Sequence, residues 1–466
     1  MQLPKAGIMR ATCNSALPAL DEPLTLPPEL SVTTPVRPTA CPGLLRIVQA
    51  LDGGICRIKL DGGVITSTQA RSVADVAQRY ASAVIEATNR GNLQIRGVGP
   101  NHRALIEPLL AAGLGPATAA GDDVRNLMLS PSAGIDPQMQ IDTRDLARQI
   151  LSSVQSVPRL AELSAKFAVQ LDGGEALAML EHPHDLWLSA FDHAGQAFLA
   201  FGLAGCPAHN RALGAVPVAQ GHELVMAVLT LFLDLARPEH TRMRHLLGEV
   251  PVERFIEQLA ERLSVPLMAL PQWRRNVPAT AMHIGTYPQH KSGRVYIGAV
   301  PALGRLDAAT LVGLAQLADT FASGVVRFTP WQSVLLPDVR LEDAPLVTRQ
   351  LQALGLFCDV REPLARLIAC TGASACAKGL ADTKQDARQL ATLLSQPHTI
   401  HLTGCQRSCA AAHVAPVTLL AVAPGHYDLY LRAPEHAGFG VLRERNLTIE
   451  AAGAWLEARQ RSNTDD

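Results

Sequence analysis

Four of the nine cysteines in the sequence form two close pairs late in the chain. Cys370 and Cys376 enclose five residues, and Cys405 and Cys409 enclose three residues. Zinc sites usually place about two to four residues between the members of a pair, so the wide first pair disfavours zinc. We therefore predict that the four thiolates bind a 4Fe–4S cluster. Four buried structural cysteines are the alternative.

Small residues surround both pairs, in the stretches "CTGASAC" and "GCQRSCAAA". They let the backbone approach an inorganic cluster closely. A helix that starts at the second pair would place Cys405 and Cys409 on one face, because they are four positions apart. The other five cysteines are isolated, and we interpret them as structural. Clustered cysteines in a reducing compartment indicate metal or redox chemistry.

Length and charge limit the function classes. A chain of 466 residues is too long for one core. Its formal net charge of −1 provides no basic field for nucleic acid. The apolar run Leu224–Leu233 is about half as long as a membrane span, so a buried helix is expected. No export signal is evident, and we expect a cytoplasmic protein without membrane partners. Residues 1–36, rich in Pro and Thr, are expected to form a flexible leader.

Two segments repeat the same order of strand, helix and strand. Residues 53–98 and 293–336 each begin with alternating apolar positions and continue with an amphipathic helical pattern. Ser72 with Asp75 predicts a capping box for the first helix, and Asp307 predicts a cap for the second. "LQIRGV" and "WQSVLL" predict the returning strands. The fold class is therefore α+β, a pseudo-two-fold repeat of ferredoxin-like half-domains, each followed by a larger α/β domain.

This repeat predicts five segments. They are a leader (1–36), the first half-domain (37–112), the first α/β domain (113–271), the second half-domain (272–342) and the cluster-bearing α/β domain (343–466).

The cysteine pattern C-x5-C followed by G-C-x3-C resembles the siroheme-dependent nitrite and sulfite reductase superfamily. "NRGNLQIRGV" (89–98) is similar to its first-half motif, and "DVRN" with "SPSAGID" (123–136) is similar to its tetrapyrrole-contacting motif. The resemblance covers nearly the whole chain beyond residue 36. It implies the repeated architecture and a 4Fe–4S cluster beside a tetrapyrrole.

Within the superfamily, the sequence resembles the precorrin-3B synthase family most. The stretches concerned are "TACPGLLR" (39–46), "EATNRGNLQIRGV" (86–98), "HIGTYPQHKSGRVYIGAVPALGRLD" (283–307) and "RFTPWQSVLL" (327–336). This resemblance implies an O2- and NADH-dependent monooxygenase of aerobic cobalamin biosynthesis. Such an enzyme hydroxylates precorrin-3A at a meso carbon with γ-lactone formation, and it carries a non-haem iron besides the cluster.

Three departures from the reductase pattern favour that branch. A K-F-K motif supplies two distal lysines in the reductases, whereas Lys166 is followed here by Phe167 and Ala168. Arg407 stands where siroheme enzymes usually have Asn, and Pro416 stands where an acidic residue is usual. A siroheme-dependent nitrite or sulfite reductase remains the alternative, and a non-catalytic electron carrier is a third hypothesis.

A polycarboxylate tetrapyrrole requires fixed cations and neutral donors. The matched motifs supply the predicted substrate-binding residues Arg90, Gln94, Arg96, Arg125, Asn126 and Lys166, with Asn89 beside them. Arg46, Lys378 and Arg407 are further candidates. No histidine is favoured as an iron ligand among "HPHD" (182–185), "FDH" (191–193), His283 and His290. No G-x-G-x-x-G follows a strand, so NADH is expected to act indirectly, through a separate electron-donor protein.

Overall fold

A computed structural model describes residues 41–277, 282–433, 435–436 and 438–464. The predicted leader lies outside these residues. The first half-domain contains strands β1 (Val48–Ala50), β2 (Gly53–Ile58), β3 (Val64–Thr66), β4 (Val84–Ala87) and β5 (Leu93–Val98), with helices α1 (Ser67–Tyr80) and α2 (His102–Ala111). Thr66 and Gln69 form the capping box of α1. The predicted capping box at Ser72 and Asp75 is therefore wrong, because the helix begins before Ser72.

The first α/β unit follows. Its helices are α3 (Gly121–Val124), α4 (Arg144–Ser156), α5 (Gly221–Leu235), α6 (Met243–Leu246) and α7 (Val252–Ala260), and its strands are β6 (Leu127–Leu129), β7 (Val169–Asp172), β8 (His184–His193), β9 (Gln196–Gly205) and β10 (Gly214–Pro217). The sheet order is β10-β9-β8-β7-β6, with β6, β7 and β8 parallel.

Helix α5 contains the longest apolar run of the sequence. The stretch Val218–Leu235 has the length and hydropathy of a membrane span. Most of the α5 side chains are nevertheless buried in the core of the first α/β unit. The prediction of a buried helix is confirmed.

The second half-domain repeats the first. It contains β11 (Gly285–Pro288), β12 (Arg294–Pro301), β13 (Arg305–Asp307), β14 (Val325–Phe328), β15 (Val334–Arg340) and β16 (Leu356–Phe357), with α8 (Ala308–Phe321) and α9 (Ala344–Ala353). Asp307 accepts a hydrogen bond from the Thr310 N–H and caps α8 as predicted. The strand predicted from Trp331 begins only at Val334, since Gln332 has a left-handed backbone with φ of 60°.

The two half-domains exchange strands. β3 pairs with β14 of the second half, and β13 pairs with β4 of the first half. Helices α1 and α8 pack against each other, and one continuous core contains buried residues from both halves. The ferredoxin-like halves therefore form a single folding unit.

The last unit contains β17 (Leu367–Ala369), β18 (Ile400–Thr403), β19 (Val417–Ala423), β20 (His426–Leu431) and β21 (Val441–Thr448), with α10 (Thr383–Leu393) and α11 (Ile449–Thr464). Its sheet has the order β17-β18-β19-β20-β21, and β17, β18 and β19 are parallel. Neighbouring parallel strands end at the same edge of a sheet. The loops that follow β17 and β18 therefore leave the sheet side by side.

Candidate cluster site and adjoining cavity

Each cysteine pair follows one of two neighbouring parallel strands. Cys370 comes directly after β17, and Cys405 comes two residues after β18. The Cys370 N–H donates to the Leu402 carbonyl at 3.3 Å, and the Leu380 N–H donates to the Gly404 carbonyl at 2.9 Å. The sheet edge and these bonds bring the two loops together.

The Cys409 thiol lies within electrostatic reach of the other three paired cysteines. Desolvation, followed by repulsion from Cys405, Cys370 and Cys376, raises the pKa of Cys409. Within the described residues, no three Cys, His, Asp or Glu side chains could hold a single metal ion. A cubane cluster differs from such a site because each thiolate binds a different iron atom, at a different corner.

Glycines make close packing of the cysteine loops feasible. A Cβ atom on Gly404 would lie 3.5 Å from Cys370 Sγ and 3.1 Å from Gly379 Cα, and one on Gly379 would lie 2.6 Å from the carbonyl carbon of Gly372. The Gly404 N–H points at Cys370 Sγ, 3.2 Å away. Backbone N–H groups aimed at sulfur are typical of iron–sulfur sites, where hydrogen bonds help to set the reduction potential.

The segment from Cys405 to Cys409 is a loop and not a helix. Turns connect the two cysteines, and Ser408 has φ of 52°. The predicted helical start is therefore wrong. A left-handed residue between the cysteines interrupts the helical hydrogen-bonding pattern, and the loop itself determines where the thiols point.

A cavity of about 700 Å³ opens beside this loop. The loop contributes Gln406 to Cys409, the segment between β4 and β5 contributes Asn89 and Arg90, and apolar residues include Leu420, Tyr430 and Phe439. Asn89 Nδ2 donates to the Cys409 carbonyl at 3.2 Å, which connects the first half-domain to the cluster loop. The volume is in the range of ligand pockets, about 300–1,000 Å³.

Arg90 is the predicted substrate residue that lines this cavity. Its guanidinium makes no hydrogen bond or ion pair within the described part of the chain. Burial, followed by repulsion from Arg242, lowers the pKa of Arg90 to about 10. The group stays protonated at neutral pH and is available to an anion.

Three further arginines line the cavity: Arg242, Arg244 and Arg407. Arg407 was a weaker candidate in the sequence, and the other two were missed. Arg242 Nε donates to both carboxylate oxygens of Asp185, at 2.8 and 2.9 Å. Asp185, the acidic residue of "HPHD", could have indicated a nearby cation. It is far from Arg242 in the sequence, however, and no motif connects the two residues.

Arg96 and Gln94 lie in another environment. Arg96 donates two hydrogen bonds of 2.8 Å to Asp52, and its side chain is almost fully buried. Gln94 Nε2 donates to Glu86 at 2.7 Å. Neither residue lines the cavity. Their polar groups already have partners within the protein, and their contact with a substrate stays a prediction.

The other predicted residues do not line the cavity either. Arg125 is buried and donates to the Leu114 carbonyl at 3.0 Å. Asn126 Nδ2 donates to three backbone carbonyls, those of Asp123, Ala165 and Phe167. Lys166 is exposed. Arg125 and Asn126 thus connect segments of the first α/β unit, and of the six predicted residues only Arg90 lies at the cavity.

Histidines near the cavity do not form an iron site. His182 Nε2 lies 2.9 Å from His413 Nδ1, and His184 Nδ1 lies 2.9 Å from the His182 carbonyl oxygen. Asp185 is occupied by Arg242. Burial lowers the pKa of both His182 and His184 well below the usual value. The expected non-haem iron has no ligand set within the described residues.

Comparison with known proteins identifies the family. A model described as the nitrite and sulphite reductase 4Fe-4S domain matches residues 120–267. One described as the nitrite/sulfite reductase ferredoxin-like half domain matches twice, over residues 48–113 and 287–354. The chloroplastic ferredoxin–nitrite reductase of Zea mays is 32% identical over 394 residues, which cover 78% of this chain and 68% of that relative. This chain belongs to the nitrite and sulfite reductase family. It is accordingly an oxidoreductase.

Other members of the nitrite and sulfite reductase family give the same result. The ferredoxin–nitrite reductase of Synechococcus elongatus is 31% identical, over 78% of this chain and 76% of its own length. Sulfite reductase [ferredoxin] 2 of Mycolicibacterium paratuberculosis is 28% identical, over 86% of this chain and 78% of its own length. The NirA protein of Mycobacterium tuberculosis has the same fold, with a TM-score of 0.75 at 23% identity, over 88% of this chain and 80% of that chain. The chain spans about two thirds of the length of the plant nitrite reductases.

These relatives overturn the predicted branch of the family. The expectation of a precorrin-3B synthase, acting on precorrin-3A with O2, is wrong, because the relatives are named nitrite and sulfite reductases. The comparisons support neither a non-haem iron nor NADH. The predicted fold class is confirmed by the repeated half-domain and the NirA fold.

The four paired cysteines lie beyond the residues matched by both family models, since the last match ends at residue 354. Their assignment therefore depends on the geometry of the two loops.

Proposed function

We propose that this chain is a reductase of nitrite that uses a 4Fe–4S cluster and siroheme. The observation that carries the proposal is the placement of a cation-lined cavity beside two converging cysteine loops. Arg90, Arg242, Arg244 and Arg407 all border a space that also reaches Cys409. A redox centre and an anion site are thus adjacent, as a reductase of a small anion requires.

Cys370, Cys376, Cys405 and Cys409 are the proposed cluster ligands. Support comes from the electrostatic effect of the other three cysteines on Cys409, the Gly404 N–H aimed at Cys370 and the absence of side chains on Gly372, Gly379 and Gly404. When bound, the cluster supplies electrons one at a time. The protein holds its two loops on the ends of β17 and β18.

The cavity suits a flat macrocycle with carboxylate arms. Leu420, Tyr430 and Phe439 offer apolar surface, and guanidinium groups bind carboxylates as bidentate forks. Among the described residues the Arg90 guanidinium has no hydrogen-bond partner, whereas Arg242 is fixed by Asp185. We assign Arg90, Arg244 and Arg407 to carboxylate binding, with Arg242 as a positioned cation. When bound, siroheme supplies an iron atom that coordinates the reducible anion.

Charge favours nitrite over sulfite. At neutral pH sulfite carries more negative charge than nitrite, so it requires more compensating cations. The second lysine of the reductase motif is replaced here by Ala168, which is buried and donates its N–H to Asp185. Lys166 is exposed and lies outside the cavity lining. Sulfite is the second candidate, because one relative is named a sulfite reductase.

We propose further that electrons come from a separate carrier protein, since the relatives are named as ferredoxin-dependent enzymes. A cytoplasmic location stays a prediction.

A purified sample assembled with cluster and siroheme tests the function. Reduced methyl viologen serves as donor, and its oxidation is followed with nitrite or with sulfite under anaerobic conditions. The proposal expects faster turnover with nitrite, and ammonium measured as product. Turnover with sulfite alone would move the assignment to the second candidate. No turnover with either anion, in protein that contains both cofactors, would refute the reductase proposal.

A further inference from the structure

A buried carboxylate in the first half-domain is surrounded by cations from three parts of the chain. Glu86 in β4 is only 6% exposed. One of its oxygens, Oε1, lies 2.8 Å from Arg305 in β13 and 3.7 Å from Lys384 in α10, and Oε2 lies 3.7 Å from Arg96 in β5. These cations outweigh the desolvation of Glu86 and lower its pKa to about 2. The carboxylate is therefore charged at any pH at which the protein is used.

Lys384 connects this group to the first cysteine loop. Its Nζ donates to the carbonyl of Ala369, the residue before Cys370, at 3.3 Å, and to the Leu303 carbonyl at 2.7 Å. The neighbouring Thr383 donates its hydroxyl to the Cys370 carbonyl at 2.8 Å. Burial lowers the pKa of Lys384, and the Glu86 carboxylate opposes this shift. The atoms that its Nζ contacts, two carbonyl oxygens and one carboxylate oxygen, are all acceptors that stabilise the ammonium form.

Arg96 connects the same group to the other cysteine of that loop. The Cys376 thiolate acts on the Arg96 charge, as Cys370 acts on Lys384. The Leu51 N–H also donates to the Ala375 carbonyl at 3.3 Å, next to Asp52, the ion-pair partner of Arg96. Two buried cations thus face the first cysteine loop from the protein side, away from the cavity.

The cluster-side network consists of Glu86, Asp52, Arg96, Arg305 and Lys384. Its net charge is positive. Asp52 and Arg305 are both partly exposed, so solvent screens their opposite charges to a similar degree. The remaining members are buried, and among them two cations, Arg96 and Lys384, face one carboxylate, Glu86. Buried charges act over longer distances than exposed ones because the protein interior screens them weakly.

We infer that Lys384 and Arg96, held in place by Glu86, raise the reduction potential of the 4Fe–4S cluster. The inference rests on the proposed cluster ligands. The cluster accepts one electron from the carrier protein, and this electron makes an already anionic centre more negative by one charge. Nearby buried cations stabilise the reduced state more than the oxidised state. Lys384 and Arg96 are positioning and tuning residues, since neither lines the cavity.

Two substitutions with opposite expected signs test the inference. Lys384→Met removes the positive charge but keeps a side chain of similar size, and it is expected to lower the midpoint potential of the cluster. A shift of the one-electron equilibrium on the order of tenfold corresponds to about 59 mV. Glu86→Gln removes the carboxylate, leaves the cations less compensated and is expected to raise the potential. The measurement is a potentiometric titration of the reduced-cluster EPR signal in cluster-loaded protein.

Matched controls separate charge from folding. Lys384→Arg keeps the charge and should retain the potential of the unchanged protein. Lys59 is another buried lysine, which donates to the carbonyls of Asp122 and Asp123 away from the cysteine loops, and Lys59→Met should leave the potential unchanged. If Lys384→Met does not fold, Glu86→Gln decides the question by the sign of its shift.

Potentials that stay the same in Lys384→Met and Glu86→Gln, or that shift in the same direction, would overturn the inference. A merely structural role predicts that outcome. Iron and labile sulfide in the unchanged protein are measured first. Their absence would overturn the cluster assignment itself and is distinguishable from a failed potential shift.

Discussion

Arg242 and Asp185 form a buried ion pair at the edge of the cavity, with Arg242 Nε donating to both carboxylate oxygens. Asp185 also accepts from the Ala168 and Met243 N–H groups, at 2.9 and 2.8 Å. Every partner of this carboxylate is a donor. The pair thus joins the cavity wall to β8 and to the start of α6.

Asp185→Asn should destabilise the protein by about 1–3 kcal/mol, since it turns an amide NH₂ toward buried donors and leaves the partly exposed Arg242 without its counter-charge. Denaturant unfolding at constant pH measures the change. The control is Asp319→Asn, which removes an exposed pair with Arg71 and should have no measurable effect. An equal loss in both variants would contradict the role given to the buried pair.

Serine in place of any one of Cys370, Cys376, Cys405 or Cys409 should greatly reduce the cluster content, because a serine hydroxyl is a poor substitute for a thiolate ligand. Iron and acid-labile sulfide per chain provide the measurement. Cys358→Ser is the matched control, since burial raises the pKa of this isolated thiol to about 11 and keeps it protonated. Full cluster content in any of the four variants would remove that cysteine from the ligand set.

Arg90→Gln should weaken tetrapyrrole binding by about tenfold to a hundredfold, because a charged hydrogen bond to a carboxylate contributes about 1.5–3 kcal/mol. Absorption titration with siroheme measures the affinity. Arg79 forms an exposed ion pair with Asp75 in α1. The control variant Arg79→Gln should therefore bind siroheme with unchanged affinity. Wild-type affinity in Arg90→Gln would show that the cavity binds its ligand without this guanidinium.

His401 should make the protein less stable in mild acid. Burial lowers its pKa to about 3, and its Nε2 has no hydrogen-bond partner in the part of the chain that the structure describes. The unfolded chain has a histidine pKa of about 6.5 and so binds more protons between these two values. Stability is therefore expected to fall as the pH falls from about 6.5 toward 3.

Unfolding midpoints at pH 7 and pH 5 measure this dependence. His401→Gln should reduce the difference between the two midpoints, whereas His426→Gln, at the partly exposed start of β20, should not. An unchanged difference in His401→Gln would show that other groups cause the acid sensitivity.

Strong local patterns made much of the fold predictable. Alternating buried positions indicate β2. The apolar run within α5 is too long to remain exposed to solvent in a folded protein, so it indicates a buried helix. The strand exchange was not predictable in the same way. β3 and β13 have three residues each, and nothing in so short a strand distinguishes pairing within its own half from pairing with the other half.

The candidate site was only partly predictable. Cysteine spacing and small neighbours point to the cluster loops, but a motif does not show where its arginine points. Arg90 and Arg96 occur in one motif, yet Arg90 borders the cavity and Arg96 is paired with Asp52. The incorrect branch of the family has a related cause. Ala168, Arg407 and Pro416 were interpreted as departures from the reductase pattern, although single departures from a motif do not determine which ligand a whole cavity binds.

Cofactor content of anaerobically prepared protein tests the central claim most directly. Iron, acid-labile sulfide and extractable tetrapyrrole are determined in the same sample, together with its absorption spectrum. We predict one cubane cluster and one siroheme per chain, with the cluster lost in the Cys405→Ser variant. Protein that lacks labile sulfide after reconstitution, or that takes up the cluster but no tetrapyrrole, would contradict the account.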